Sequence, residues 1–288
     1  MKMSHLAWTL WALVPVGLIA FHFGPGQAAY REDRAAKLVA RAGELQSGAV
    51  ALQAKAYEAH LAAIDARIAA FGKDDDALRK AAADAGAREE AAYALASAAW
   101  KETADALAEA QGFVDEVGGR VREEIRIAKA RALVRTGDIA GGANELEDYL
   151  LEALERGASD EPLAIEAREE LATAYYYSAR LMRLAGKPAE EWREVAGRAR
   201  QNYRYLAEDA KRRGATPEQV ANHEKNGELV LNLEQSSLDE LFAKARPKDS
   251  PGGKCNNPGP ARRPGRGKRQ GDQPSKGAGM NGEIGDGW

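Results

Sequence analysis

The sequence predicts an all-α protein: an apolar leading helix, a run of helical hairpins, and a disordered chain end. Three observations carry that expectation. Alanine, leucine, glutamate and arginine are abundant and β-branched residues few, and such side chains lose little rotamer freedom in a helix. Between residues 30 and 246, Gly, Asp and Pro punctuate stretches whose apolar residues recur every three or four positions, the helical period. From Pro247 onward glycine and proline dominate, leaving too few apolar side chains to offset the entropy of ordering. The chain therefore divides into residues 1–29, 30–246 and 247–288.

The leader comes first. Leu6 to Phe23, "LAWTLWALVPVGLIAFHF", holds no Asp, Glu, Lys or Arg. As a helix it reaches about 27 Å, near the lower limit for a hydrocarbon core of about 30 Å. Trp8, Trp11 and Phe23 suit the interfaces, and a proline such as Pro15 is tolerated in a membrane helix. A single-pass anchor is expected. A cleaved signal peptide, with a secreted product, is the rival, because Gly26-Gln27-Ala28 places small residues before Ala29. Lys2 pulls the N-terminus toward the cytoplasm, whereas Arg31, Arg34, Lys37 and Arg41 pull the other way. A single leading lysine is ordinary for export, so the body is expected outside the cytoplasm. "GPGQAA" at 24–29 fits a loose nucleotide-binding glycine pattern. That pattern needs a preceding strand, so the stretch reads as a breaker.

Eight body helices are predicted near 30–46, 49–70, 75–111, 114–135, 138–156, 161–185, 188–213 and 217–245. Asp74-Asp75-Asp76 supplies an N-cap and negative charge at a helix start. Pro162 and Pro188 suit first-turn positions. Thr216-Pro217-Glu218-Gln219 has the capping-box pattern, and Ser237 with Glu240 repeats its spacing, so the last helix is open to a break there. Gly86 offers a break in the third.

The stretch "LVRTGDIAGGANELEDYL", Leu133 to Leu150, shows how these helices pair. Aligning Gly137 with Gly48 and Gly186 brings Ala143, Ala54 and Trp192 into register. Leu146, Tyr57 and Val195 then align, as do Leu150, Leu61 and Ala199. Those positions lie on one face of a second helix, after a glycine free to adopt the left-handed conformation that ends the first.

This unit resembles the tetratricopeptide repeat, a helix-turn-helix of about 34 residues, over residues 30–70 and 120–213. The glycine intervals depart from that length, and the aromatic signature of the first helix is largely missing. The resemblance implies an irregular solenoid whose first helices line a groove. An irregular bundle, or long antiparallel hairpins approaching a coiled coil, remains open. "HFGPGQAAYREDRAA" and "RLAGKPAEEWREVAGRARQNYRYLAE", with a cysteine in a Pro-rich segment after the last helix, resemble bacterial membrane-anchored repeat proteins thought to act beside von Willebrand factor A domain proteins of the aerotolerance type. That second resemblance implies an assembly role, no enzymatic activity, and such a membrane protein as partner.

Counted back from Gly186, the groove positions implied by the repeat are Thr173, Tyr176, Arg180 and Arg183. Counted from Gly137 they are Glu124, Ile127, Arg131 and Arg135. Planar guanidinium groups beside a tyrosine suit an acidic peptide or a C-terminal carboxylate. The competing reading is a solvated face whose arginines pair with Glu169 or Glu170. The run Tyr175-Tyr176-Tyr177 points three ways on a helix and makes no single cage. Trp100, Trp192, Tyr203 and Tyr205 read as packing residues.

Nothing here points to catalysis, a cofactor or a metal. His5, His22, His60 and His223 form no H-E-x-x-H or Cys/His ligand spacing. His60 reads as a capping or surface residue. Cys255, the single cysteine, excludes an internal disulfide and reads as a free thiol. The net charge is −3, but the tail carries eight basic and four acidic residues, against an acidic body. Its "ARRPGRGKR" cluster suits electrostatic contact with nucleic acid or anionic lipid. No aromatics interleave with it, which disfavours base stacking.

Overall fold

The computed structural model describes residues 3–114 and 119–252, and all regular structure among the described residues is helical. The order is α1 (Met3–Phe23), α2 (Pro25–Ala70), α3 (Asp76–Val114), α4 (Arg120–Thr136), α5 (Ile139–Glu155), α6 (Pro162–Leu184), α7 (Ala189–Arg212), α8 (Pro217–Gln235) and α9 (Leu238–Ala243). From α2 to α8 each helix packs on the next. Among the described residues no helix is both long and apolar enough to cross a membrane. Several side chains of α1, at 3–7, 9, 10 and 12, lie outside the described residues, and its described large apolar side chains, Trp8 and Trp11 included, are exposed. The expected disorder, from residue 253 on, also lies outside the described residues.

The two helices expected at 30–46 and 49–70 are a single helix of 46 residues, α2, about 69 Å long. Gly48 is no hinge: it sits inside α2, not among the glycines of positive φ. Without a side chain it lacks a steric reason to stop, and Ser47 spends its hydroxyl on the Gly43 carbonyl at 3.0 Å rather than capping a new helix. Gly86 likewise leaves α3 unbroken.

α2 and α3 pack along one another with a seven-residue period. Ala35, Ala42, Ala49, Ala56 and Ala63 are all buried, and Leu38 and Leu45 pack beside them. From α3, Tyr93, Trp100, Leu107 and Val114 answer at the same interval. Small residues opposite large ones let two helices approach closely over several turns, in the manner of a coiled coil. The turn between them ends in a side-chain cap, as Asp75 accepts from Ala77 N at 2.8 Å and Leu78 N at 3.1 Å. Asp74 and Asp76 both bind Arg79.

The body, α4 to α8, turns more often. Gly137 closes α4 in the left-handed conformation, and Asp138 caps α5 by accepting from Gly141 N. Gly142 then lies so close to α4 that a Cβ there would stand 2.6 Å from the Ala130 carbonyl oxygen. Gly186, at φ 69°, ends α6: its N–H bonds the Arg183 carbonyl and that of Lys187 the Met182 carbonyl. This paired motif satisfies carbonyls that a helix end leaves orphaned. Pro162 and Pro217 occupy first-turn positions, whereas Pro188 is the N-cap residue of α7. Capping boxes start both α8 and α9. α6 is the centre of the core, buried from Leu171 to Met182 on nearly every side.

Past α9, residues 244–252 form a non-helical strap. The segment expected to leave the body at Pro247 stays docked through residue 252, with Ser250 and Pro251 buried. Its grip is polar, which is why composition does not reveal it.

Candidate functional site

Two polar clusters meet the strap. The first lies between α4 and α6. Arg131 donates to Glu170 at 2.7 Å and also binds Glu166. One turn on, Arg135 holds the other Glu170 oxygen at 2.8 Å and reaches Asp249 of the strap at 3.0 Å. The Tyr177 hydroxyl donates to the same Asp249 carboxylate at 2.6 Å. Arg135 is 8% exposed and Tyr177 2%, whereas the Asp249 side chain is 54% exposed. Burial lowers the pKa of Arg135, but Glu170, Tyr177 and Asp249 outweigh it and leave the pKa raised. Burial, then the Asp249 charge, pushes the Tyr177 phenol well above its ordinary value. The pair is thus a fixed cation beside a fixed neutral donor, and both point at one carboxylate.

A cleft of about 250 Å³ opens beside that carboxylate, lined by Arg135, Thr173, Tyr176, Tyr203, Asn226 and Pro247 among others. Thr173 and Tyr203 share a hydrogen bond at 3.0 Å. The structure therefore brings three of the positions singled out in the sequence, Arg135, Thr173 and Tyr176, to one cleft, with Arg131 behind it on Glu170. It takes Arg180 and Arg183 elsewhere. Arg180 is buried and donates to the carbonyls of Leu241 and Lys244; burial, with Arg246 nearby, pulls its pKa down. Arg183 donates to the carbonyls of Leu233 and Ser236 at the end of α8, and its guanidinium lies over the Trp192 ring. Both serve as internal caps of helix ends. Ile127 is core, and Glu124 pairs with Arg120 at the surface.

The second cluster joins the strap to the long hairpin. His60 is buried, contrary to its expected surface or capping role. Its Nε2 accepts the Arg246 main-chain N–H at 3.2 Å, so Nδ1 carries the hydrogen and donates to Glu89 at 2.7 Å. Arg67 and Arg246 also reach Glu89. Burial pushes the Glu89 carboxyl up, but the His60 hydrogen bond and the arginine charges outweigh it and hold the carboxyl below its ordinary value. Gln53 of α2 donates to the Ser250 carbonyl at 2.7 Å. With Nε2 engaged by a main-chain amide, His60 has no lone pair free for proton abstraction, so the His–Glu pair is a clamp on the strap.

A longer cavity of about 730 Å³ follows α3 past Tyr93, Ser97 and Lys101 to Thr136 and Arg246. It mixes acids and bases without a convergent charge. Among the described residues no group of His, Cys, Asp and Glu is arranged to hold a metal. Sequence reasoning missed His60, Arg246 and Asp249. A signal existed for none of them beyond the charged run "ARPKDSP" next to the last helix.

With the helical class and the cleft in view, comparison with known proteins adds no relative: no protein-family model, curated protein or solved structure matches the chain.

Proposed function

We propose that the chain is a non-enzymatic, membrane-tethered scaffold of tetratricopeptide-like design, with the α4–α8 body as its protein-binding part. The supporting observation is the polar cleft on the successive helix pairs of the body, built from Arg135, Thr173 and Tyr176 and left open beside Asp249. Repeat architectures of this kind bind extended segments along the surface that their stacked helices create. The tether rests on the charge-free run Leu6–Phe23 and on the exposed apolar side chains of α1, which lipid would cover. A von Willebrand factor A domain membrane protein is the partner class that the sequence resemblance suggests.

The length of α2 supports a second reading, a passive spacer that only holds its end away from the bilayer. A photo-crosslinking residue at Leu229, exposed at the cleft, separates the two in native membranes. One discrete protein adduct, lost when the crosslinker is moved to exposed Leu95 of α3, is expected of a scaffold. No adduct at either position, with the chain recovered in the membrane fraction, leaves the spacer. Recovery in the soluble fraction removes the tether.

A further inference from the structure

We propose that the Arg135–Tyr177 site is an acceptor for an aspartate- or glutamate-bearing extended segment of a partner, and that the strap occupies it in cis as an exchangeable stand-in. The proposal rests on the scaffold reading and names the chemistry of its ligand.

A guanidinium and a phenol, each more than nine-tenths buried, converge on one carboxylate oxygen each: Arg135 on Oδ2 at 3.0 Å and Tyr177 on Oδ1 at 2.6 Å. That geometry fits a carboxylate in particular. A neutral amide would present one oxygen and one N–H, and the N–H would face one of the two donors. Beside the side-chain tie of Arg246 to Glu89, two strap contacts are generic. Gln53 binds a main-chain carbonyl, and His60 binds a main-chain N–H. An extended peptide with an acidic side chain at the right position offers these main-chain groups and the carboxylate, and a basic side chain three residues earlier would also meet Glu89.

Energetics favour exchange over simple opening. Withdrawing Asp249 takes a partner from a buried guanidinium N–H and from a buried hydroxyl, and an unsatisfied buried donor is unfavourable. Arg135 keeps Glu170 on its other nitrogen, so the cation stays charged and in place. The empty site is therefore poor, and the ligand that restores it must bring a carboxylate. Space for one is at hand, because Asp249, Thr173 and Tyr176 line one cleft, and the Asp249 side chain is half exposed.

The test uses the full chain with its strap opened by Arg246→Ala and Asp249→Ala. The probe is a fluorescent peptide of residues 244–252, alongside the same peptide with Asn at the aspartate. Anisotropy should show binding of the aspartate peptide, weaker by about tenfold or more for the Asn peptide, and a similar loss when Arg135→Gln is added. Equal binding of both peptides, or none while helicity is retained, overturns the proposal. If the opened chain loses its helicity, the wild-type chain decides: excess aspartate peptide must speed amide exchange at 246–250, and unchanged exchange overturns it. A partner crosslinked at Leu229 in membranes but indifferent to Arg135→Gln sinks this site and spares the scaffold. Peptide binding without any membrane adduct does the reverse.

Discussion

In the α2–α3 hairpin, alanines recur every seven residues along one side of a single long helix; in the body, apolar residues surround α6 and shorter helices follow one another across turns. Ionic contacts also differ, although Arg34–Glu109 and the Glu89 contacts of His60 and Arg67 do cross the hairpin. On the hairpin, Lys37–Asp33, Lys80–Asp84 and Lys101–Asp105 are exposed pairs within one helix, each worth little. In the body, Arg131–Glu170, Arg135–Glu170 and Arg126–Glu152 tie different helices together, with both partners of Arg135–Glu170 largely removed from water. Geometry is specified differently in the two. A heptad seam fixes two helices side by side and leaves their exposed faces free to vary. The body's cross-helix pairs fix the relative placement of three helices at once, and the cleft lies among them. The strap touches both regions, through His60 and Gln53 on one side and Arg135 and Tyr177 on the other.

The largest expected effect is a split in pH response. In the body, burial first and the Glu123 charge second raise the Tyr149 phenol to about 12; burial also raises Tyr175, Tyr177 and Tyr203. An unfolded tyrosine ionises near about 10, so the native state prefers the neutral phenols. The stability they contribute is complete below that value and drains away as pH climbs toward 12. Glu89 has the opposite sign. Its carboxyl is depressed in the folded chain, so its contribution is present above the ordinary carboxylate value and is lost as pH falls from there through the depressed one. Body helicity and tyrosine ionisation should therefore change together in alkali. In acid, amide exchange should quicken first at the strap. Burial also raises the Tyr93 phenol of α3, so the hairpin shares part of the alkaline loss; simultaneous loss of both regions in acid would dissolve the distinction.

How much of this the sequence disclosed follows the same divide. The glycine stops at 137 and 186, the caps at Asp75, Thr216 and Ser237, and the helical class were legible, because each depends on a few adjacent residues. The Gly48 hinge was misplaced because a glycine permits a turn without requiring one, and no capping side chain or proline follows it. The alanine seam from 35 to 63 was present in the sequence as a seven-residue interval. Glycine alignment looks past it, since the seam contains no punctuation. For the cleft, helical counting brought Arg135, Thr173 and Tyr176 together but sent Arg180 and Arg183 with them. Those two turn instead to carbonyls 50 to 64 residues away, a pairing no local spacing encodes. The strap was illegible for a related reason: its ties are hydrogen bonds and ion pairs to residues up to 197 positions distant.

Two glycine substitutions sharpen the contrast further. Gly142→Ala places a methyl 2.6 Å from both the Ala130 carbonyl oxygen and Val134 Cγ2. The carbonyl belongs to a helix backbone and cannot swing aside, so α5 must withdraw from α4, at about 1–3 kcal/mol of stability. Denaturant unfolding followed by circular dichroism reads the loss, and an unchanged midpoint would show that the two helices are not held at this distance. Gly48→Ala should move stability the other way. A Cβ there meets nothing within 4 Å, the position is helical, and alanine in a helix interior is favoured over glycine by about 0.5–1 kcal/mol. Slower amide exchange around position 48 is the expected reading. Faster exchange would mean that α2 needs to bend at Gly48 after all, and the hairpin would then be two jointed segments in place of one continuous rod.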